Sequence, residues 1–307
     1  MRIAVVGAGG VGGGFGAALA KAGADVTFIA RGAHLAAMKS AGLKIESPRG
    51  DTHLVPTQAT DDPATVGKVD FILFCVKLWD VESAGAHIRP LVGASTAVIP
   101  LQNGIDAADR LIPILGREAV MGGVAQISAS IVQPGVIRQV GTFMRMIFGE
   151  LDGTITQRGK DFLAMCQKAG FDATLSDQIL TELWMKFALL ATNASMTAVT
   201  RQPIGKLRDD PDVRAIFLSA IQEVIEVGRA RNIALPADAL SKVLDFIGHA
   251  PPAMKASMAL DLERGNRLEL PWLSGKVVDI GRELGISTPT HGMLYALLKP
   301  YAMGTPA

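Results

Sequence analysis

The sequence predicts an α/β fold: an N-terminal Rossmann-type doubly wound sheet with added antiparallel strands, followed by an all-helical C-terminal domain. Three observations predict it. Residues 1–16, MRIAVVGAGGVGGGFG, place a β-branched run, a glycine turn and the start of a helix in that order. Strand-length apolar runs then recur, among them Asp25–Ala30, Phe71–Val76 and Thr96–Leu101. After Ser176 the strand signal stops and only helical periodicity remains. The expected division is a dinucleotide-binding domain over 1–176 and a helical domain over 177–307.

The first strand is Ile3–Val6, and Gly7-Ala8-Gly9-Gly10-Val11-Gly12 after it fits G-x-G-x-x-G. A strand before the motif and a helix after it give the pattern its weight. Gly7 permits the tight turn, Gly9 lets the backbone approach a pyrophosphate, and Gly12 lets the helix lie close to the strand. The helix N-terminus offers unpaired N–H groups and a positive dipole end to phosphates. Gly7, Gly9, Gly10, Val11 and Gly12 are therefore the cofactor-binding candidates. Gly13 and Gly14 also sit in the first helical turns, where a glycine costs about 1 kcal/mol relative to alanine. Packing alone is expected to discard them, which favours a ligand-binding turn over a ligand-free one. Arg2, the apolar run and Ala18-Leu19-Ala20 imitate a signal peptide, but seven glycines interrupt the segment and it completes a βαβ unit.

The second strand, Asp25–Ala30, ends without the acid that would bond the ribose 2′-hydroxyl of NAD. Arg31 stands there instead. A guanidinium at that place suits a 2′-phosphate through paired, charge-assisted bonds, so the expected cofactor is NADP. Residues 34–41 read as a short helix, and Leu43–Glu46 and His53–Val55 as a hairpin around Pro48-Arg49-Gly50-Asp51. Phe71–Val76 is apolar throughout, the signature of a central parallel strand. Lys77 follows it, and Asp80 is placed to N-cap a helix running to Arg89. Thr96–Leu101 is the next strand, ending in Gln102-Asn103-Gly104. Ligands in open α/β sheets bind beyond the carboxyl ends of strands, which singles out Lys77 and Asn103; ordinary Asn-Gly turn chemistry also accounts for Asn103.

From Ala119 to Gly149 short β-rich pieces alternate with turns: Val120–Ser130, Pro134–Ile137 and Met144–Phe148. Residues 161–169 read as a helix and Phe171–Thr174 as an edge strand. Helices are expected over 177–200, capped by Ser176 or Asp177, and then over 211–231, 236–247, 252–264, 271–284 and 289–301. Several open near a proline, which suits a first helical turn.

Composition bounds the function. Of 307 residues 49% are apolar and 19% charged, enough to bury a sizeable core. The net charge is +1 and no basic tract appears, so nucleic-acid binding has no electrostatic footprint. No apolar run approaches the roughly 20 residues of a membrane helix. Cys75 and Cys166 form no C-x-x-C, which suits a reducing compartment and offers no metal site. A cytoplasmic protein is expected.

The helical half must supply the chemistry. Its most informative stretch is Glu182-Leu183-Trp184-Met185-Lys186-Phe187. A lysine flanked by apolar residues on a helix either snorkels to solvent or faces a polar cleft. Asn193 lies seven residues on, on nearly the same helical face.

Taken in order, GAGGVG at 7–12, Arg31, Val76-Lys77-Leu78-Trp79, Gln102-Asn103-Gly104, Glu182-Leu183-Trp184-x-Lys186, Ser257-Met258-x-x-Asp261 and Glu269 resemble the ketopantoate reductase (2-dehydropantoate 2-reductase) family over essentially the whole chain. The resemblance implies reduction of 2-dehydropantoate to pantoate with NADPH. It implies that Lys186 protonates the ketone oxygen as hydride arrives, and that Glu269 holds the lysine and the substrate. Ser257 matches a residue that binds the substrate carboxylate. Asn103 matches an asparagine near nicotinamide and substrate, while Arg31 and Lys77 match basic cofactor-binding residues. Addition of hydride builds negative charge on oxygen, which a positioned ammonium stabilises and then protonates.

The chain also departs from the family. Asparagines expected four and eight residues after the lysine are Leu190 and Ala194, and one expected three before the serine is Met254. Asn193 is the candidate replacement. A pocket lined by Leu190, Ala194 and Met254 suits a more apolar 2-keto acid, the chief alternative substrate. A non-catalytic NADP-binding regulatory protein is the alternative of another class, opposed by the presence of both Lys186 and Glu269. The partner is thus a small-molecule 2-keto acid. The Ala- and Gly-rich helical domain is compatible with a homodimer and equally with a monomer.

Overall fold

A computed structural model describes residues 1–304. The chain forms two units, one of Met1–Gln102 with Asp106–Ile179, the other of Asn103–Ile105 with the chain from Leu180 on.

The first unit runs β1 (Arg2–Val6), α1 (Gly10–Lys21), β2 (Asp25–Ile29), α2 (Gly32–Ala41), β3 (Leu43–Glu46), β4 (Thr52–Leu54), β5 (Ala59–Thr60), β6 (Phe71–Phe74), α3 (Val81–His87), β7 (Ala97–Pro100), α4 (Ala107–Leu115), β8 (Met121–Gln133), β9 (Val136–Glu150), α5 (Gln157–Lys168) and β10 (Asp172–Leu175). Five strands form a parallel sheet in the order β5-β2-β1-β6-β7. β1 sits at its centre, with Val5 opposite Phe28 and Leu73. Every residue of β6 and β7 is buried, as expected of strands covered on both faces.

The added strands form a second sheet of their own. Its path is β10-β9-β3-β4, and β8 pairs antiparallel with β9. β8 and β9 are 13 and 15 residues long, not the short pieces that the pattern suggests. Register shifts at Ile127/Ala129 and Ile131/Gln133 interrupt the alternation of side chains, which is why two long strands read as fragments. Pro134 and Gly135 belong to the connecting turn.

Gly13 and Gly14 correct the expectation that packing would discard them. α1 lies against β8 and β9. A Cβ on Gly13 would stand 2.1 Å from Ile137 Cδ1, and one on Gly14 would stand 2.9 Å from Ile127 Cδ1. Close approach of helix to sheet is the reason for both glycines. The core beside them is aromatic: Phe162 stacks on Phe71 with centroids 4.4 Å apart and meets Phe148 edge-on.

Asp80 stands at the N-cap position of α3 as expected, but its side chain makes no cap bond, and α3 ends at His87 rather than Arg89. Thr156, which the sequence reading passes over, caps α5 by accepting the Gly159 N–H. α4 is not among the expected helices; Pro113 lies inside it and interrupts the helical pattern in sequence.

In the second unit come α6 (Ile179–Thr200), α7 (Ile204–Asp209), α8 (Pro211–Ala230), α9 (Ala239–His249), α10 (Ser257–Glu263), α11 (Ser274–Leu284) and α12 (Pro289–Leu298). The helix expected over 252–264 is only the seven residues of α10. The chain before it serves α7 instead: Met254 and Pro252 carbonyls accept the Ile204 and Gly205 N–H groups. That satisfies two of the donors that a helix start leaves open. α8 begins with Asp210 accepting from Asp212 and Val213, and Pro211 fills the first position. The core is built from Trp184, Phe187, Phe217, Ile221, Val224 and Leu270, among others.

Two buried polar groups tie these helices together. Glu223 of α8 caps α12, its carboxylate accepting the Thr290 and His291 N–H groups at 2.7 and 2.9 Å. His291 Nε2 donates to the Ala220 carbonyl at 3.0 Å, since a carbonyl only accepts. Its Nδ1 therefore accepts from Ser274 Oγ at 2.9 Å, and Ser274 accepts from Ser195 Oγ at 2.6 Å. No described helix is long and apolar enough to cross a membrane.

Candidate active site

The glycine turn closes β1. Gly7 has φ +91°, and a Cβ there would lie 2.9 Å from the Cys75 carbonyl group, so the turn admits only glycine. Gly12 packs on the turn itself, with a Cβ position 2.2 Å from the Gly7 carbonyl oxygen. Gly10 is held by β8, where Ala129 O would meet a Cβ at 2.0 Å. Gly9 differs from all of these. Apart from its own chain neighbours, no described atom lies within 4 Å of where its Cβ would be, so open space faces the backbone at the start of α1. That open face, the turn and the helix N-terminus are what a dinucleotide phosphate requires. Val11, one residue into α1, is partly buried against the core of this unit.

Arg31 stands at the end of β2 and opens α2. Its side chain is 82% exposed and donates to Asp80 Oδ2 at 3.0 Å. Lys77 follows β6, exposed, with Nζ 5.6 Å from the centre of the Trp79 ring. Gln102 anchors the end of β7, donating from Nε2 to the Phe74 and Val76 carbonyls. The chain then turns through Gly104 at φ +109°.

In the helical unit three of the expected residues come together. Lys186 Nζ donates to Asn103 Oδ1 at 3.2 Å. Burial pushes the Lys186 ammonium down from the ordinary lysine range to about 8, and the charge of Glu269 pulls the other way. Glu269 is itself 6% exposed, at the head of the short 3₁₀ turn Leu270–Trp272. An amine, an amide and a carboxylate thus share one partly desolvated environment, and the amine is brought within reach of neutral pH.

Two further expected residues lie in the same unit. Asn193 is buried, 6% exposed, and its Oδ1 has no hydrogen-bond partner among the described residues. Ser257 opens α10 with an exposed side chain and makes no hydrogen bond among the described residues. Of the three positions that depart from the resemblance, Ala194 is buried in the helical core, and Leu190 and Met254 pack on it partly buried. Asp80, the partner of Arg31, is not among the expected site residues: six residues past β6 and at the N-cap position of α3, its carboxylate reads in sequence as a helix cap.

The model of the family described as Ketopantoate reductase PanE/ApbA matches residues 3–153, and that of its C-terminal part matches 178–302. The chain is 28% identical to the 2-dehydropantoate 2-reductase of Mesorhizobium japonicum, over 99% of this chain and 98% of the other. The PanE/ApbA family ketopantoate reductase from Ralstonia eutropha JMP134 has a solved structure that superposes with a TM-score of 0.90. It is 32% identical and covers 98% of each chain. A D-mandelate dehydrogenase solved with NADH and anilino(oxo)acetate gives the same TM-score, 0.90, at 20% identity over 98% of each chain, which is a likeness of fold.

Proposed function

The chain belongs to the ketopantoate reductase family and is an oxidoreductase, and from that premise we propose that it reduces 2-dehydropantoate to pantoate with NADPH, a step toward pantothenate and coenzyme A. The observation that carries the reading is Lys186: half-buried, bonded to Asn103, biased by Glu269 and brought down to about 8.

When bound, the nicotinamide cofactor supplies a hydride to the carbonyl carbon of the substrate. Lys186 does the rest of the chemistry assigned to the protein. As negative charge builds on the carbonyl oxygen, the ammonium stabilises it and donates a proton from Nζ. Asn103 Oδ1 accepts one Nζ–H and so restricts where the remaining protons point. Glu269 keeps the amine protonated at neutral pH, against the burial that would discharge it. Ser257, exposed at the start of α10, is the proposed partner of the substrate carboxylate, and Asn193 of the substrate's polar tail. Gly7, Gly9, Gly10, Val11, Gly12 and Lys77 are the proposed cofactor contacts, with Arg31 on the 2′-phosphate.

A second reading has its own support. The resemblance places asparagines at the positions of Leu190, Ala194 and Met254; Ala194 is buried in the core, but the partly buried Leu190 and Met254 are apolar there, which favours a more apolar 2-keto acid over a hydroxylated one. The D-mandelate dehydrogenase of the same fold is solved with NADH and anilino(oxo)acetate. The deciding experiment is a panel of 2-keto acids with NADPH, followed by loss of nicotinamide absorbance. The proposal expects the highest kcat/KM for ketopantoate. A higher value for an apolar branched-chain or aryl 2-keto acid selects the second reading, and no turnover with any of them leaves the regulatory alternative.

A further inference from the structure

Arg31 and Asp80 come from the chain that follows the two strands flanking β1. Arg31 stands two residues past β2, at the start of α2, and Asp80 ends the short 3₁₀ turn that follows β6; both strands pair with β1, whose end carries the glycine turn. Their ion pair therefore spans the carboxyl edge of the sheet at the turn. Of the two side chains Arg31 is 82% exposed and Asp80 27%. The two groups are opposed in what they would accept from a dinucleotide. A guanidinium favours the doubly charged 2′-phosphate of NADP. A carboxylate accepts a hydrogen bond from the free 2′-hydroxyl of NAD and repels a phosphate.

Resting on the reading of Arg31 as the 2′-phosphate ligand, we infer that Asp80 is a specificity-determining residue that works against it, holding the Arg31 guanidinium and lowering the preference for NADPH over NADH. The 2′-phosphate must take Arg31 from Asp80 or share it with a like charge close by. NADH meets neither obstacle. The ratio of the two affinities is thus set by a pair of residues, one of each sign, rather than by Arg31 alone. The pair is exposed enough for its effect to be modest and to weaken with added salt.

The test is the dissociation constants of NADPH and NADH, read by quenching of intrinsic tryptophan fluorescence, for the unaltered protein, Asp80→Asn and Arg31→Ala. Asp80→Asn keeps the shape of the side chain and removes its charge. It is expected to raise the NADPH preference by about three- to five-fold, the scale of an exposed ion pair, mainly through tighter NADPH binding, with a smaller effect at high salt. Arg31→Ala is expected to lower the same preference. An Asp80→Asn protein whose two constants are unchanged, or move together, overturns the inference about Asp80 while Arg31→Ala still shifts the ratio. An Arg31→Ala protein with an unchanged ratio overturns the 2′-phosphate reading and the inference that rests on it.

Discussion

At the scale of the residue, Lys186 carries the chemistry because two influences on its ammonium oppose each other. Burial disfavours the charge and Glu269 favours it, with the balance at about 8. Proton donation needs the ammonium, so turnover should be flat below that value and fall as pH rises through it. Removing the Glu269 charge removes the pull that raises the value. Glu269→Gln should therefore move the alkaline limb of kcat to lower pH, and a limb that stays in place or moves upward contradicts the assignment. Lys186→Ala should lower kcat by about 10²- to 10⁴-fold, the usual worth of a positioned general acid, while the NADPH dissociation constant stays the same. Near-normal turnover would remove Lys186 from the mechanism. Asn103 was legible as a residue at a strand end, and Lys186 as a lysine in apolar company. Their meeting, across 83 residues of sequence, was not.

At the scale of the element, α1 shows how glycines serve two ends in one helix. Gly7 and Gly9 shape the turn, whereas Gly13 lets the helix settle onto β9. Gly13→Ala gains about 1 kcal/mol of helix propensity, but its Cβ would lie 2.1 Å from Cδ1 of Ile137, which is fully buried. Overpacking of that kind costs about 1 to 3 kcal/mol. Denaturant unfolding of Gly13→Ala should show a net loss of stability. Adding Ile137→Val deletes the offending methyl and should recover part of it. A Gly13→Ala protein as stable as the unaltered chain would refute the packing account. From residue types alone the glycines could only be credited to a ligand, because the strands that crowd α1 begin more than a hundred residues later in the chain.

For the molecule as a whole, the helical unit is joined by a polar thread through its interior. Ser195 of α6, Ser274 of α11, His291 of α12 and the Ala220 carbonyl of α8 form one chain of hydrogen bonds. It works only with His291 neutral, since Nδ1 must accept, and burial holds the imidazole at about 4, below its ordinary 6.5. The unfolded chain then binds a proton that the folded chain refuses between those two values. Stability should consequently be full above about 6.5 and fall as pH drops toward 4, with a total near 3 kcal/mol, taken as about 1.4 kcal/mol for each pH unit. Urea unfolding between pH 4 and 7.5 checks this, and His291→Gln should flatten the slope. An equal slope in both proteins would place the acid sensitivity elsewhere.

What the sequence by itself determined is what neighbouring residues can encode. The order of strand, glycine turn and helix, the all-apolar parallel strands and the change to helical periodicity after Ser176 are local patterns, and they led to the fold class and the family. Only the tertiary structure decided the matters that hang on distant partners. It set Asp80 on Arg31 across 49 residues, gave Gly13 and Gly14 their packing role, split the sheets in two and shortened the helix at 257–263. The physical reason is common to them all. Backbone propensity and side-chain periodicity act over a few residues, whereas burial, ion pairing and a shifted pKa belong to an environment that exists only once remote segments have been brought together.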